Sequence, residues 1–133
     1  MKNKKIAKSL SKQQKEKLDK WLATTKKIMN MSHWDISFQY TKEVDGNMFL
    51  QAKTQSDYLR LIIVVYEEAV TESWDKDGDD FVEGGIYHEM VHALHSEFRD
   101  VALKRFINQQ QIYDAEERMT EQLARIIFSL KNK

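Results

Sequence analysis

Apolar residues recur at helical spacing just after Ser11, where Leu18, Trp21, Leu22, Thr25, Ile28 and Met29 draw a narrow stripe on an otherwise lysine-rich segment. That pattern predicts a helix of about four to five turns packing by one face. Over residues 34–41, Trp34, Ile36, Phe38 and Tyr40 alternate with Asp35, Ser37, Gln39 and Thr41, the period-two mark of a half-buried strand. Asp45-Gly46-Asn47 is a turn signal, and a second strand is expected over residues 48–54. Residues 58–66, rich in Leu, Ile and Val, read as a central strand covered on both faces. Residues 71–80 carry Glu72, Asp75, Asp77, Asp79 and Asp80 around Gly78 and read as an acidic surface loop. A calcium loop is disfavoured there, because Gly84 falls where a bidentate glutamate is required. Gly84-Gly85 then offers flexible backbone ahead of a helix running from about Val82 or Ile86 to Phe98 or beyond. A last amphipathic helix is expected over residues 111–130.

These elements predict an α+β fold: an amino-terminal helix, a small three-stranded, mostly antiparallel sheet, a buried middle helix and a carboxy-terminal helix. The 133 residues suit one domain spanning 1–133, with residues 1–10 flexible. Lys plus Arg and Asp plus Glu number 21 each, so the global charge advertises neither nucleic acid nor an anionic membrane. The lysines of the first helix are read as a solvated face; a nucleic-acid accessory role for them is the weakest alternative. There is no cysteine, so any metal must be held by His, Asp or Glu. The basic start lacks an apolar stretch and a small-residue cleavage site, and the apolar run 61–66 is too short to span a bilayer. A cytoplasmic location is expected.

The chemistry concentrates in His88-Glu89-Met90-Val91-His92. On a helix, positions four apart share a face, so both imidazoles can reach one cation while Glu89 approaches a water bound to it. Val82, Ile86, Met90, Val91, Ala93, Leu94 and Phe98 are apolar anchors for burying that helix. A preceding strand with a free edge could receive an extended peptide by main-chain pairing. A catalytic zinc usually takes three protein ligands, and the last helix offers Glu116 and Glu117. Extending the Leu123 and Leu130 row back by seven lands on Glu116 and points it inward; Glu117 lies on the adjoining edge with Thr120, Glu121 and Ala124. His95 shares the motif face but lies about 4.5 Å further along the axis than His92, which suits a supporting or transition-state contact better than ligation. Tyr87 and Tyr113 are candidate oxyanion donors.

Trp34-Asp35-Ile36, the strand at 59–65, His88-Glu89-Met90-Val91-His92-Ala93-Leu94-His95 and the stretch from Glu116-Glu117 to Leu123-Ala124 together resemble the minimal gluzincin-type metallopeptidases, short H-E-x-x-H proteins of phages and mobile elements. The resemblance covers roughly residues 34–130 in layout. It implies a third ligand on the later helix in a pattern like E-x-x-[small]-x-x-[Leu/Phe]-Ala. Read against Thr120 and Leu123-Ala124, that position is Glu117, which is preferred; periodicity keeps Glu116 as the alternative. The longer metzincin pattern, with its Gly turn and later His, does not occur. The implied activity is peptide-bond hydrolysis with one catalytic Zn2+ and Glu89 as general base. The partner would be a peptide or protein substrate, with no nucleic acid and no membrane, and the oligomeric state stays open. A non-catalytic regulatory or interaction module that keeps the zinc is the alternative.

Overall fold

A capping box starts the first helix, α1 (Lys12–Ile28): the Ser11 hydroxyl accepts from the Gln14 N–H, and the Gln14 side chain accepts from the Ser11 N–H. The computed structural model describes residues 8–96, 99 and 109–131. Leu18, Leu22 and Thr25 face inward, whereas Ile28 stays exposed where the helix ends. Leu10, expected within a flexible terminus, is buried and donates its backbone N–H to the Glu67 carboxylate. Residues 1–7 lie outside the described residues. Lys15 and Lys17 of the lysine-rich face lie within ion-pair distance of Glu67 and Asp79.

The strands are β1 (Asp35–Thr41), β2 (Leu50–Gln55) and β3 (Arg60–Tyr66), in the order β1-β3-β2. β3 pairs in parallel with β1, from Asp35↔Arg60 to Thr41↔Tyr66, and antiparallel with β2, from Leu50↔Val65 to Gln55↔Arg60. The expected mostly antiparallel sheet is therefore corrected to a mixed one with one interface of each kind. The reason is burial: Leu61, Ile63 and Val65 are fully inaccessible, and the most apolar strand gains most from the centre. A 3-10 turn (Ser56–Tyr58) and Leu59 at φ 49° fold β2 back onto β3, which leaves β2 as an edge strand.

The acidic segment is not a loop. It forms α2 (Glu67–Asp77), because Val70 and Trp74, four apart, drop into the core and leave Glu72, Asp75 and Asp77 on the outer face. Gly78, at φ 82°, then turns the chain directly into α3 (Asp79–Leu94), with the Trp74 indole N–H donating to Asp79. α3 thus begins earlier than the glycine pair suggests, takes Gly84 and Gly85 into its interior, and ends at Leu94 with His95 as cap. Phe98 lies outside the described residues. Val82, Glu83, Ile86, Tyr87, Glu89, Met90, Val91 and Ala93 are all buried, so α3 is covered on nearly every side. Leu94 is the exception among its expected anchors, standing exposed at the helix end.

The last helix, α4 (Gln109–Lys131), lies against α3 and buries Glu116, Thr120 and Ala124, with Ile127 and Phe128 packed on the core. Leu123, Ile126 and Leu130 face outward instead. Glu116 does point inward, but through the 116-120-124 row rather than the 123-130 row used to place it. The Lys131 ammonium contacts the buried Glu83 carboxylate and ties the end of α4 to α3. Among the described residues no helix is long and apolar enough to cross a membrane.

Candidate metal centre

His88, Glu89 and His92 project from α3 toward α4 and β2, where they line a cleft of about 620 Å3. Glu117 of α4 closes the group: its Oε1 is 3.3 Å from His88 Nε2, and its Oε2 is 3.3 Å from His92 Nε2. The opposite nitrogens are already engaged. His88 Nδ1 sits 2.8 Å from Glu121 Oε2, and His92 Nδ1 sits 3.0 Å from Glu116 Oε1. Each imidazole thus lies between two carboxylates, with Glu117 at Nε2 and either Glu121 or Glu116 at Nδ1.

The donor set could hold a metal ion. Tetrahedral ligands at about 2.05 Å from zinc are about 3.3 Å apart, which is the N···O separation here. Ligand atoms of His88, His92 and Glu117 all lie within 4.8 Å of one another. A second grouping, His92, His95 and Glu116, meets the same limit. It is the poorer cation site, because the Arg99 guanidinium lies 3.6 Å from Glu116 Oε1 and already neutralises it.

His88, His92 and Glu117 converge, and Glu116 stands behind His92 as its carboxylate partner. His95 turns away, its Nε2 lying 2.6 Å from the Thr120 hydroxyl, and burial lowers its pKa although Glu116 opposes that shift. Tyr87 does not reach the cleft: it is fully buried, with its ring edge-on to Phe128. Tyr113, one turn before Glu117, is exposed and lines the cleft. Glu121 was not singled out as functional by sequence reasoning. The available signal was its place one turn after Glu117, the spacing that lets one helix face present both carboxylates to the paired imidazoles.

Glu89 is buried, and its Oε2 has no hydrogen-bond partner among the described residues. Burial, reinforced by the nearby Glu117 charge, pushes its pKa up to about 8 against a counteracting backbone hydrogen bond from Ala52. That bond follows from strand register. The Tyr66 N–H donates to the Phe49 carbonyl at 3.0 Å, so pairing alternates to leave the backbone groups of Leu50, Ala52 and Thr54 pointing away from β3. This side of β2, which pairs with no other strand among the described residues, borders the cleft that holds His88, Glu89 and His92. Comparison with protein-family models, curated protein sequences and solved structures finds no match.

Proposed function

We propose that this protein is a zinc-dependent peptidase in which His88, His92 and Glu117 hold one zinc ion and Glu89 is the general base. The observation that carries the reading is the convergence of the two Nε2 atoms on one carboxylate, each 3.3 Å from one of its oxygens. Their Nδ1 atoms are locked by Glu121 and Glu116, the carboxylate–histidine support usual around bound metals. Zinc suits two imidazoles and a carboxylate in a chain without cysteine. The motif's resemblance to minimal gluzincin-type metallopeptidases agrees with this assignment.

When bound, zinc supplies a Lewis acid that polarises the scissile carbonyl and makes water acidic near neutrality. The chain's own residues supply the rest. An extended peptide lies along β2, its main chain pairing with the outward groups of Leu50 and Thr54 and so being held against α3. The otherwise unpartnered Glu89 Oε2 takes the proton of the attacking water and delivers it to the leaving amine. Ala52 holds the other end of the task by fixing the Glu89 carboxyl through its backbone. Glu116 and Glu121 keep the imidazoles in the tautomer that ligation needs.

The test is metal analysis paired with peptide hydrolysis. Glu89→Gln should keep stoichiometric zinc and lose hydrolysis by about 10²- to 10⁴-fold, while His88→Ala and His92→Ala should lose both. Full zinc occupancy after removing both histidines would defeat the metal assignment. Zinc bound without turnover of any peptide would replace hydrolysis by binding.

A further inference from the structure

The sheet has a second edge, two strands away from the one that borders the cleft. β1 pairs with β3 and with no other strand among the described residues. Its register determines which main-chain groups are left over. The Asp35 N–H donates to the Leu59 carbonyl at 2.9 Å, and the parallel pairing runs without a bulge from Asp35↔Arg60 to Thr41↔Tyr66. Asp35, Ser37, Gln39 and Thr41 therefore bond to β3, while the N–H and C=O groups of Ile36, Phe38 and Tyr40 point out of the sheet. Edges of this kind are ordinarily guarded by a proline, a bulge or a charged side chain, above all lysine. β2 carries the exposed Lys53 near its middle, but residues 36–41 of β1 hold no charge and no proline. Coverage of the side chains is also incomplete. Ile36, Phe38 and Tyr40 pack on the core yet stay half-buried, with the Phe38 and Tyr40 rings 6.1 Å apart, and Ser37 and Gln39 are exposed on the other face.

We propose that β1 is a homodimer interface, at which two copies of this chain join edge to edge and antiparallel about a two-fold axis through Phe38, forming one sheet of order β2-β3-β1-β1-β3-β2. The occupant is a second copy because the strand matches itself. About that axis Phe38 falls opposite Phe38, Ile36 opposite Tyr40 and Ser37 opposite Gln39. The Phe38 pair and both Ile36–Tyr40 pairs are made of residues whose main-chain groups point outward, so each pair exchanges two hydrogen bonds. Apolar and aromatic side chains then meet on the core face, and hydroxyls meet amides on the other. No charge meets its like. The Asp35 carboxylate, 3.5 Å from the Arg60 guanidinium, falls opposite Thr41, and Glu43, two positions past the strand, falls opposite His33. Parallel in-register pairing would set Asp35 against Asp35 and Glu43 against Glu43, and it would not close about a two-fold axis. Seven residues span about 23 Å, which puts the contact at the small end of specific interfaces, where association is weak and reversible. β2 remains outermost on each side, so both clefts stay open, and the interface stands whether or not they cleave peptides.

Sedimentation velocity of the full chain between about 1 μM and about 100 μM should show reversible dimerisation. Backbone amide exchange followed by NMR over the same range locates the contact. The N–H groups of Ile36, Phe38 and Tyr40 should exchange about fivefold more slowly at the highest concentration, while those of Asp57 and Tyr58 in the exposed turn stay unchanged. Ser37→Lys with Gln39→Lys sets like charges at both 37–39 pairs and should weaken self-association by about tenfold or more; Ser37→Glu with Gln39→Lys sets opposite charges there and should bring it to within about threefold of wild type. Both positions are exposed, so the monomer should tolerate either variant. A chain that stays monomeric at about 100 μM overturns the interface. So does a dimer in which the three outward amides exchange as fast as in the monomer, or one that Ser37→Lys with Gln39→Lys leaves unchanged. The amide measurement needs no variant and decides the matter even where a substitution disturbs folding.

Discussion

Exchanging Glu89 for Gln should change how the stability of the metal-free protein depends on pH. The folded-state pKa of Glu89 is about 8, against an ordinary 4.5, chiefly because burial disfavours the carboxylate. A raised pKa means that the folded chain holds this proton more tightly than the unfolded chain does. The resulting stability is fully present below the ordinary pKa and is lost as pH rises through the folded one. Between about pH 5.5 and about pH 8.5 the loss amounts to about 3 kcal/mol. Glu89→Gln has no proton to lose, so the difference between wild type and variant should swing by that amount. His95, whose pKa burial lowers, contributes with the opposite sign; it is common to both proteins and cancels in the difference. Urea unfolding in the presence of a chelator, followed by tryptophan fluorescence, provides the measurement. With a slope of about 1.5 kcal/mol per molar, the midpoint difference should shift by about 2 M. Saturating zinc should shrink the swing, because a dication favours the ionised carboxylate. Profiles of wild type and Glu89→Gln that run parallel across this range would refute the account of the buried carboxyl.

Glu117→Gln should weaken zinc binding more than either Glu116→Gln or Glu121→Gln, each of which should cost about 10- to 100-fold in competition titrations with a chromophoric chelator. Wild-type affinity in Glu117→Gln would remove it from the ligand set. Gly85→Ala should destabilise by about 1–3 kcal/mol through its clash with Phe49, whereas Gly84→Ala should stabilise by about 0.5–1 kcal/mol; thermal unfolding with equal shifts would contradict the contrast between them. Trp74→Ala should cost about 3–5 kcal/mol in chemical unfolding, and a surface-like change below about 0.5 kcal/mol would show that α2 is not anchored through this ring.

Legibility in the sequence followed the range of the interactions involved. The Ser11 cap, the 18-22-25 stripe and the period-two segment at 35–41 are local patterns, and each became the expected element. So did the H-E-x-x-H geometry, since helical pitch alone puts His88 and His92 on one face. The acidic stretch after residue 66 misled because charge density outweighs two apolar residues in any compositional reading, yet Val70 and Trp74 at helical spacing suffice to bury one side of α2. The glycine pair misled for a related reason. Gly85 serves a contact with Phe49, 36 positions earlier in the sequence, and no local signal distinguishes that from a turn.

By itself the sequence determined the paired imidazoles, the adjacent glutamate and an apolar strand with a reason to be central. Only the tertiary structure decided the strand order, which puts β2 at the sheet edge beside the cleft, and the division of labour among Glu116, Glu117 and Glu121. The three glutamates share one helix, and propensity treats them alike. What separates them is the angle at which α4 meets α3, set by Thr120, Ala124, Ile127 and Phe128 packing on the core. Side-chain volumes at that contact, far from the imidazoles in sequence, place one carboxylate at the two Nε2 atoms and two at the Nδ1 atoms.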